Sequence, residues 1–215
     1  MTRDSLYRYP AGRLLVFARA PVPGQVKTRL GAEVGMQQAA DFYVQMLRAT
    51  VATALAARLA PVELHVAGDS RHPLLGELAR DTARLITQTG DDLGERMCNA
   101  LHGSLQHADF AVLIGSDCPV MSGDYLTRAC ERLDAGDEVV LGPAEDGGYV
   151  LVGARRCDPE LFTDMPWSTD RVMPETRLRL QALDRQYTEL ETLWDLDTAE
   201  DLARWQAEAR PAANS

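Results

Sequence analysis

Short apolar runs alternate with stretches of helical periodicity along almost the whole chain, and that alternation leaves few folds open to it. Leu14–Ala18 is an unbroken apolar run of strand length. Gly35–Leu59 instead places Ala39, Phe42, Tyr43, Met46, Leu47, Val51 and Leu55 at three-to-four spacing, the pattern of a long amphipathic helix. Val62–Val66 reads as the next strand. Further strands are expected at 83–87, 110–114, 138–141, 149–152 and 189–193, and helices at 74–80, 93–105, 124–133, 175–184 and 199–207. Strand and helix in turn at this spacing imply a mostly parallel sheet covered on both faces, a three-layer α/β/α sandwich. With no internal repeat, low-complexity run or linker, residues 1–209 read as one domain and 210–215 as a disordered tail.

A chain of 215 residues buries about 70% of the surface that its unfolded form exposes, so its core needs no metal or disulfide staple. Lys and Arg number 22 against 32 Asp and Glu, a net charge of −10 that repels phosphate backbones and argues against nucleic acid as a partner. The same balance suits a protein whose anionic ligand arrives with a divalent cation. The longest apolar stretch near the start, Leu14–Ala18, is too short for a membrane span or a signal-peptide core. Cys98, Cys118, Cys130 and Cys157 form no CxxC and have no spaced histidine partners, so neither a zinc site nor a disulfide framework is expected; they read as reduced thiols in a cytoplasm.

In sheets of this kind ligands bind beyond the carboxyl ends of the strands, so function is sought in the segments just past each strand end. Arg19-Ala20-Pro21-Val22-Pro23-Gly24-Gln25-Val26-Lys27-Thr28-Arg29-Leu30 comes after the first. Its prolines and glycine make a defined non-helical loop, and Arg19, Lys27 and Arg29 concentrate positive charge in an acidic chain. Such loops place backbone N–H groups and basic side chains around phosphates, although a solvated turn would look similar. Gly115-Ser116-Asp117-Cys118-Pro119 comes after the fourth strand, and Asp117 is either a Mg²⁺ ligand or a turn and capping residue. Asp146-Gly147-Gly148 is good hairpin chemistry and also lets backbone approach a ligand. Near the end, Asp197 with Glu200, or Thr198 with Asp201, makes a capping box; Asp195 is explained by neither and is the spare carboxylate. Asp92 with Glu95 fits a capped helix start, and the Gly-rich turn around Gly90 could hold a nucleobase. Trp167 is either a stacking surface or a core residue. His65, His72, His102 and His107 cluster with none of these elements, so Ser-His-Asp and Cys-His chemistry have no support.

Taken in order, ARAPVPGQVKTRL, QTGDDLGERM, GSDCPV, GPAEDGGYVLVG, PWST and DLDTAEDL resemble the rSAM/selenodomain-associated transferases of the glycosyltransferase-A superfamily, from about Leu14 to Leu202. More distantly the chain is similar to the 2-phospholactate, phosphoenolpyruvate and molybdenum-cofactor guanylyltransferases. It departs from their GGxSxR-type loop by carrying Pro21-Val22-Pro23-Gly24 ahead of Lys27. The resemblance implies a nucleotide-diphospho-sugar transferase-like fold, whose mostly parallel sheet is mixed, and a nucleotide-using transferase. Lys27 and Arg29, helped by Arg19 and the Pro23-Gly24 turn, would hold a triphosphate, with Lys27, Arg29 and Asp117 as the catalytic groups. Gly90, Asp92, Leu93 and Gly94 would line the base pocket. Asp117 would bind Mg²⁺ or Mn²⁺ with Asp195 or Asp197, Asp195 being favoured by the capping argument. Asp146, Gly147, Gly148, Trp167 and Ser168 would face the acceptor. Nucleotidyl transfer to a small phosphorylated acceptor, GTP being favoured as donor, is the leading expectation. Glycosyl transfer from a nucleotide sugar is the alternative, and a non-catalytic nucleotide-binding protein the third reading. Expected partners are a nucleotide and a small acceptor, with no nucleic acid or membrane and a homodimer allowed for.

Overall fold

A computed structural model describes residues 6–208; the tail expected at 210–215 lies outside them. Seven strands form one sheet in the order β3-β2-β1-β4-β6-β5-β7. β1 (Gly12–Arg19) lies in its interior, parallel to both β2 (Val62–Ala67) and β4 (Phe110–Ile114), the central strand. β3 (Arg84–Thr87) extends the parallel half beyond β2, and β7 (Tyr187–Glu189) runs parallel to β5 (Val139–Pro143) at the other edge. β6 (Tyr149–Ala154) alone is reversed, antiparallel to both β4 and β5. The expected mixed, mostly parallel sheet is therefore the one observed.

β2 and β4 are buried along their whole length, as strands covered on both faces must be. The helices divide between those faces. One core gathers Leu14, Val16, Leu64 and Val112 with Met46 and Leu47 of α2 (Met36–Ala56) and Leu126 of α5 (Gly123–Asp134). The other gathers Leu15, Leu113 and Val152 with Met97 and Leu101 of α4 (Leu93–Leu105) and Leu180 of α6 (Val172–Ala182). Together they make the three layers.

Three departures from expectation have local causes. A short helix, α1 (Thr28–Val34), begins inside the segment read as loop, because Leu30 and Gly31 find burial against α2. The last strand is Tyr187–Glu189 rather than 189–193; beyond it the backbone still donates to β5, Leu190 N to Leu141 O at 2.8 Å and Leu193 N to Pro143 O at 2.9 Å, without regular pairing. The helix expected at 175–184 starts earlier, at Val172, whose side chain is buried. α3 (Pro73–Leu78) and α7 (Ala199–Glu208) lie where expected, and no helix among the described residues is long and apolar enough to cross a membrane.

Candidate active site

The carboxyl ends of β1, β2 and β4 and the amino end of the reversed β6 meet at one rim, around a cleft of about 600 Å³. Four cations line it, Arg19, Lys27, Arg29 and Arg96, together with four carboxylates, Asp117, Asp146, Asp195 and Asp197. Arg19, Arg29 and Arg96 make no ion pair among the described residues.

Lys27 is the organising residue. It caps α1 in the left-handed conformation, φ 45° and ψ 47°, which an L side chain adopts at a conformational cost. From there its side chain, only 6% exposed, sends its ammonium between two carboxylates, donating to Asp117 Oδ2 at 3.0 Å and to Asp197 Oδ1 at 2.6 Å. Burial disfavours the charge, but Asp117 and Asp197 outweigh it and hold the pKa above that of an ordinary lysine.

The segment after β7 resolves the choice of capping box. Asp201 Oδ2 accepts from Thr198 N at 2.8 Å and Asp197 N at 2.9 Å, while Thr198 Oγ1 accepts from Asp201 N at 3.2 Å. Thr198 and Asp201 therefore form the cap, which frees the Asp197 carboxylate for Lys27. Leu196 N donates to Asp117 O at 2.9 Å and pins this segment beside the β4 loop. Asp195, on the same segment, has a buried Oδ1 with no hydrogen-bond partner. Burial first, then the charges of Asp117, Asp146 and Asp197, push its pKa up to about 8 despite Lys27 nearby.

The sequence offered Asp117 as a metal ligand together with either Asp195 or Asp197, Asp195 being favoured. Among the described residues no group of three or more His, Cys, Asp or Glu side chains is placed to hold a metal ion. The Lys27 ammonium takes an oxygen from each of Asp117 and Asp197, which leaves Asp195 as the carboxylate of its segment free to join Asp117. Two hard oxygen donors, Asp117 and the unpartnered Asp195, remain suited in type to Mg²⁺ or Mn²⁺.

Of the other expected site residues, Leu93, Gly148, Trp167 and Ser168 line the cleft. Pro23, Gly24, Gly90, Asp92, Gly94 and Gly147 do not, and several have structural duties instead. Asp92 caps α4, accepting from Glu95 N at 2.9 Å, while Glu95 accepts in turn from Asp91 N at 2.8 Å. Gly94 has no room for a side chain, since a Cβ would run into the Phe162 carbonyl oxygen and meet Trp167 Nε1 at 2.9 Å. Gly147, at φ 88°, docks the β5–β6 hairpin on the backbone of Asp170. Asp146 supports that hairpin by accepting from Gly148 N at 2.8 Å.

Sequence reasoning missed four polar residues of the cleft. Tyr43 belongs by spacing to an apolar helix face, yet its hydroxyl accepts from Arg19 N at 2.9 Å and shares a 3.0 Å hydrogen bond with Ser116 Oγ, tying the ends of β1 and β4 together. A tyrosine on an apolar stripe signals this, because a buried phenol needs a polar partner. Arg96 donates to Gly90 O at 3.0 Å and also lines the cleft. Gln88 donates to His65 O at 2.9 Å.

This rim, on this order of strands, defines the class: the α/β fold of nucleotide-diphospho-sugar transferases. It superposes with a TM-score of 0.85 on a protein of Desulfovibrio desulfuricans G20 provisionally named as such a transferase, at 28% identity over 94% of this chain and 90% of that one. CMP:2-keto-3-deoxy-manno-octonic acid synthetase complexed with CTP shares the fold at TM-score 0.57 and 14% identity, covering 92% of this chain and 97% of that one. A Mycobacterium tuberculosis H37Rv protein in complex with manganese does so at 0.53 and 18%, covering 93% and 100%. No curated protein matches the chain. The chain belongs to the family DUF2064, described as uncharacterized protein conserved in bacteria, which matches residues 50–169.

Proposed function

We propose that this protein is a divalent-cation-dependent nucleotidyltransferase that moves a nucleoside monophosphate from a triphosphate to a small phosphorylated acceptor. The observation that carries this reading is the buried Lys27 ammonium at the rim, with three arginines free of carboxylate partners around the same cleft. That concentration of positive charge suits a triphosphate and exceeds what a diphosphate sugar needs. An acceptor oxygen attacks the α-phosphorus, the bond to the bridging oxygen of the β-phosphate breaks, and pyrophosphate leaves with the electron pair. Lys27, Arg19 and Arg29 stabilise the charge that accumulates on the attacked phosphate and the leaving group. A Mg²⁺ or Mn²⁺ held by Asp117 and Asp195 would supply Lewis-acid stabilisation of the same oxygens. On the other side, Asp146, Gly148, Trp167 and Ser168 orient the acceptor, and Tyr43 and Ser116 keep the two loops in register. The resemblance to guanylyltransferases makes GTP the first donor to try. Transfer of a sugar from a nucleotide sugar is the second reading, favoured by the name of the Desulfovibrio relative.

The test is a thermal-shift panel with Mg²⁺ and Mn²⁺, setting GTP, ATP, CTP and UTP against UDP- and GDP-sugars. A ligand at about a hundred times its Kd stabilises by about 2.7 kcal/mol, a rise of roughly 5–11 °C for a chain of this size. A shift with one triphosphate, abolished by Asp117→Ala, supports nucleotidyl transfer. A shift with a nucleotide sugar alone replaces it with glycosyl transfer.

A further inference from the structure

Cys98 and Cys157 lie 59 positions apart in sequence, yet their Sγ atoms are 3.0 Å apart. Cys98 sits on α4, and Cys157 sits just after β6, ahead of the segment that carries Phe162, Trp167 and Ser168. The contact belongs to a continuous seam. Gly94 and Cys98 are four residues apart and therefore share a face of α4. Gly94 brings α4 against the Phe162 carbonyl and Trp167, and Cys98 brings the next turn against Cys157. Leu101 extends the same face into the core shared with Leu161 and Phe162. Both cysteines are free and partly buried.

We propose that Cys98 and Cys157 are a disulfide-forming pair that staples α4 to the 157–168 segment, and so fixes the wall of the cleft that carries Trp167. Moving the two sulfurs from 3.0 Å to a bonding distance of about 2.05 Å asks for roughly 1 Å, divided between two side chains. The oxidant is a peroxide. Hydrogen peroxide oxidises the Cys98 thiol to the sulfenic acid and releases one water; the Cys157 sulfur then attacks that sulfur and a second water leaves. Overall the two thiols lose two electrons and two protons, and the peroxide is reduced to water. Burial, then the neighbouring Cys98, raises the pKa of Cys157. The other two cysteines cannot compete: Cys118 and Cys130 are 3% and 0% exposed and belong to the core on the opposite face of the sheet.

The experiment treats the full chain with hydrogen peroxide, alkylates it, and maps the peptides without reduction, with melting curves recorded before and after dithiothreitol. The expected result is one cross-linked pair containing Cys98 and Cys157, lower in mass by two hydrogens, with Cys118 and Cys130 recovered as alkylated thiols. Closing a loop of this length raises Tm by roughly 5–15 °C, reversibly with dithiothreitol, and Cys157→Ser and Cys98→Ser each abolish the rise. Peptide mapping of the unsubstituted chain decides the matter even where a variant fails to fold. Recovery of Cys98 and Cys157 as separate alkylated or sulfinic species would overturn the proposal, and so would a cross-link that leaves Tm unchanged.

Discussion

Replacing Asp195 with asparagine should make the protein more stable at neutral and mildly alkaline pH. In the folded chain burial and the surrounding carboxylates hold the Asp195 proton up to about pH 8, whereas an unfolded aspartate releases it near pH 3.9. Between those limits the folded state binds more protons than the unfolded one, so stability falls as pH rises. Each pH unit within the window removes about 1.4 kcal/mol, which is roughly 2–3 kcal/mol between about pH 5 and pH 7. Glu63 and Asp158 have pKa values held below the ordinary range by partners that outweigh their burial, so their contribution is gained as pH rises through the ordinary carboxylate range and is level above about pH 5. Asparagine keeps the shape and carries no charge. Its urea-denaturation free energy should stay nearly level where the wild type declines, ending about 2–4 kcal/mol above it near pH 7.5. Measurements at several pH values in the presence of a chelator test this. Parallel pH profiles for the two proteins, or an asparagine variant less stable at every pH, would refute the reasoning.

Adding Mn²⁺ in place of chelator should restore stability to the wild type at the alkaline end, where Asp195 is ionised, and should do little for Asp195→Asn; melting temperatures with and without metal check it. Lys27→Ala should lower turnover by about 100-fold or more once a donor is found, and activity within about threefold of wild type would remove Lys27 from the reaction. Its effect on stability should be smaller, about 1–3 kcal/mol in denaturant melts, because Asp117 and Asp197 remain 38% and 42% exposed and water can take over part of the ammonium's role. Gly94→Ala should cost about 1–3 kcal/mol, since the atom in the way is the backbone oxygen of Phe162, which cannot rotate aside.

The central strands and the amphipathic helices were legible because burial writes itself into residue type. β4 is apolar throughout, and the expected bounds of α4 coincide with those observed. The reversal at β6 was half legible: Asp146-Gly147-Gly148 announces a hairpin, and a hairpin makes neighbours antiparallel. α1 was hidden because a short helix with only Leu30 and Gly31 buried has too little periodicity to read. At the rim, Asp117 and Lys27 stood out by their place just past strand ends. What no local pattern contains is that Lys27 meets Asp117 and Asp197 across 90 and 170 residues of sequence. That pairing is set by the order of strands, and it places a lysine between two of the expected acidic residues.

The tethered ammonium has a thermodynamic consequence for anything that binds beside it. A side chain fixed between two carboxylates competes with a free cation at an effective concentration that dilution cannot lower. Metal alone should therefore bind this rim less tightly than it does beside a bound nucleotide. Phosphate oxygens that draw Lys27 toward themselves would free Asp117 and Asp197, so nucleotide and metal should each raise the other's affinity by the same factor. Calorimetric titration of metal, with and without nucleotide, measures that factor directly.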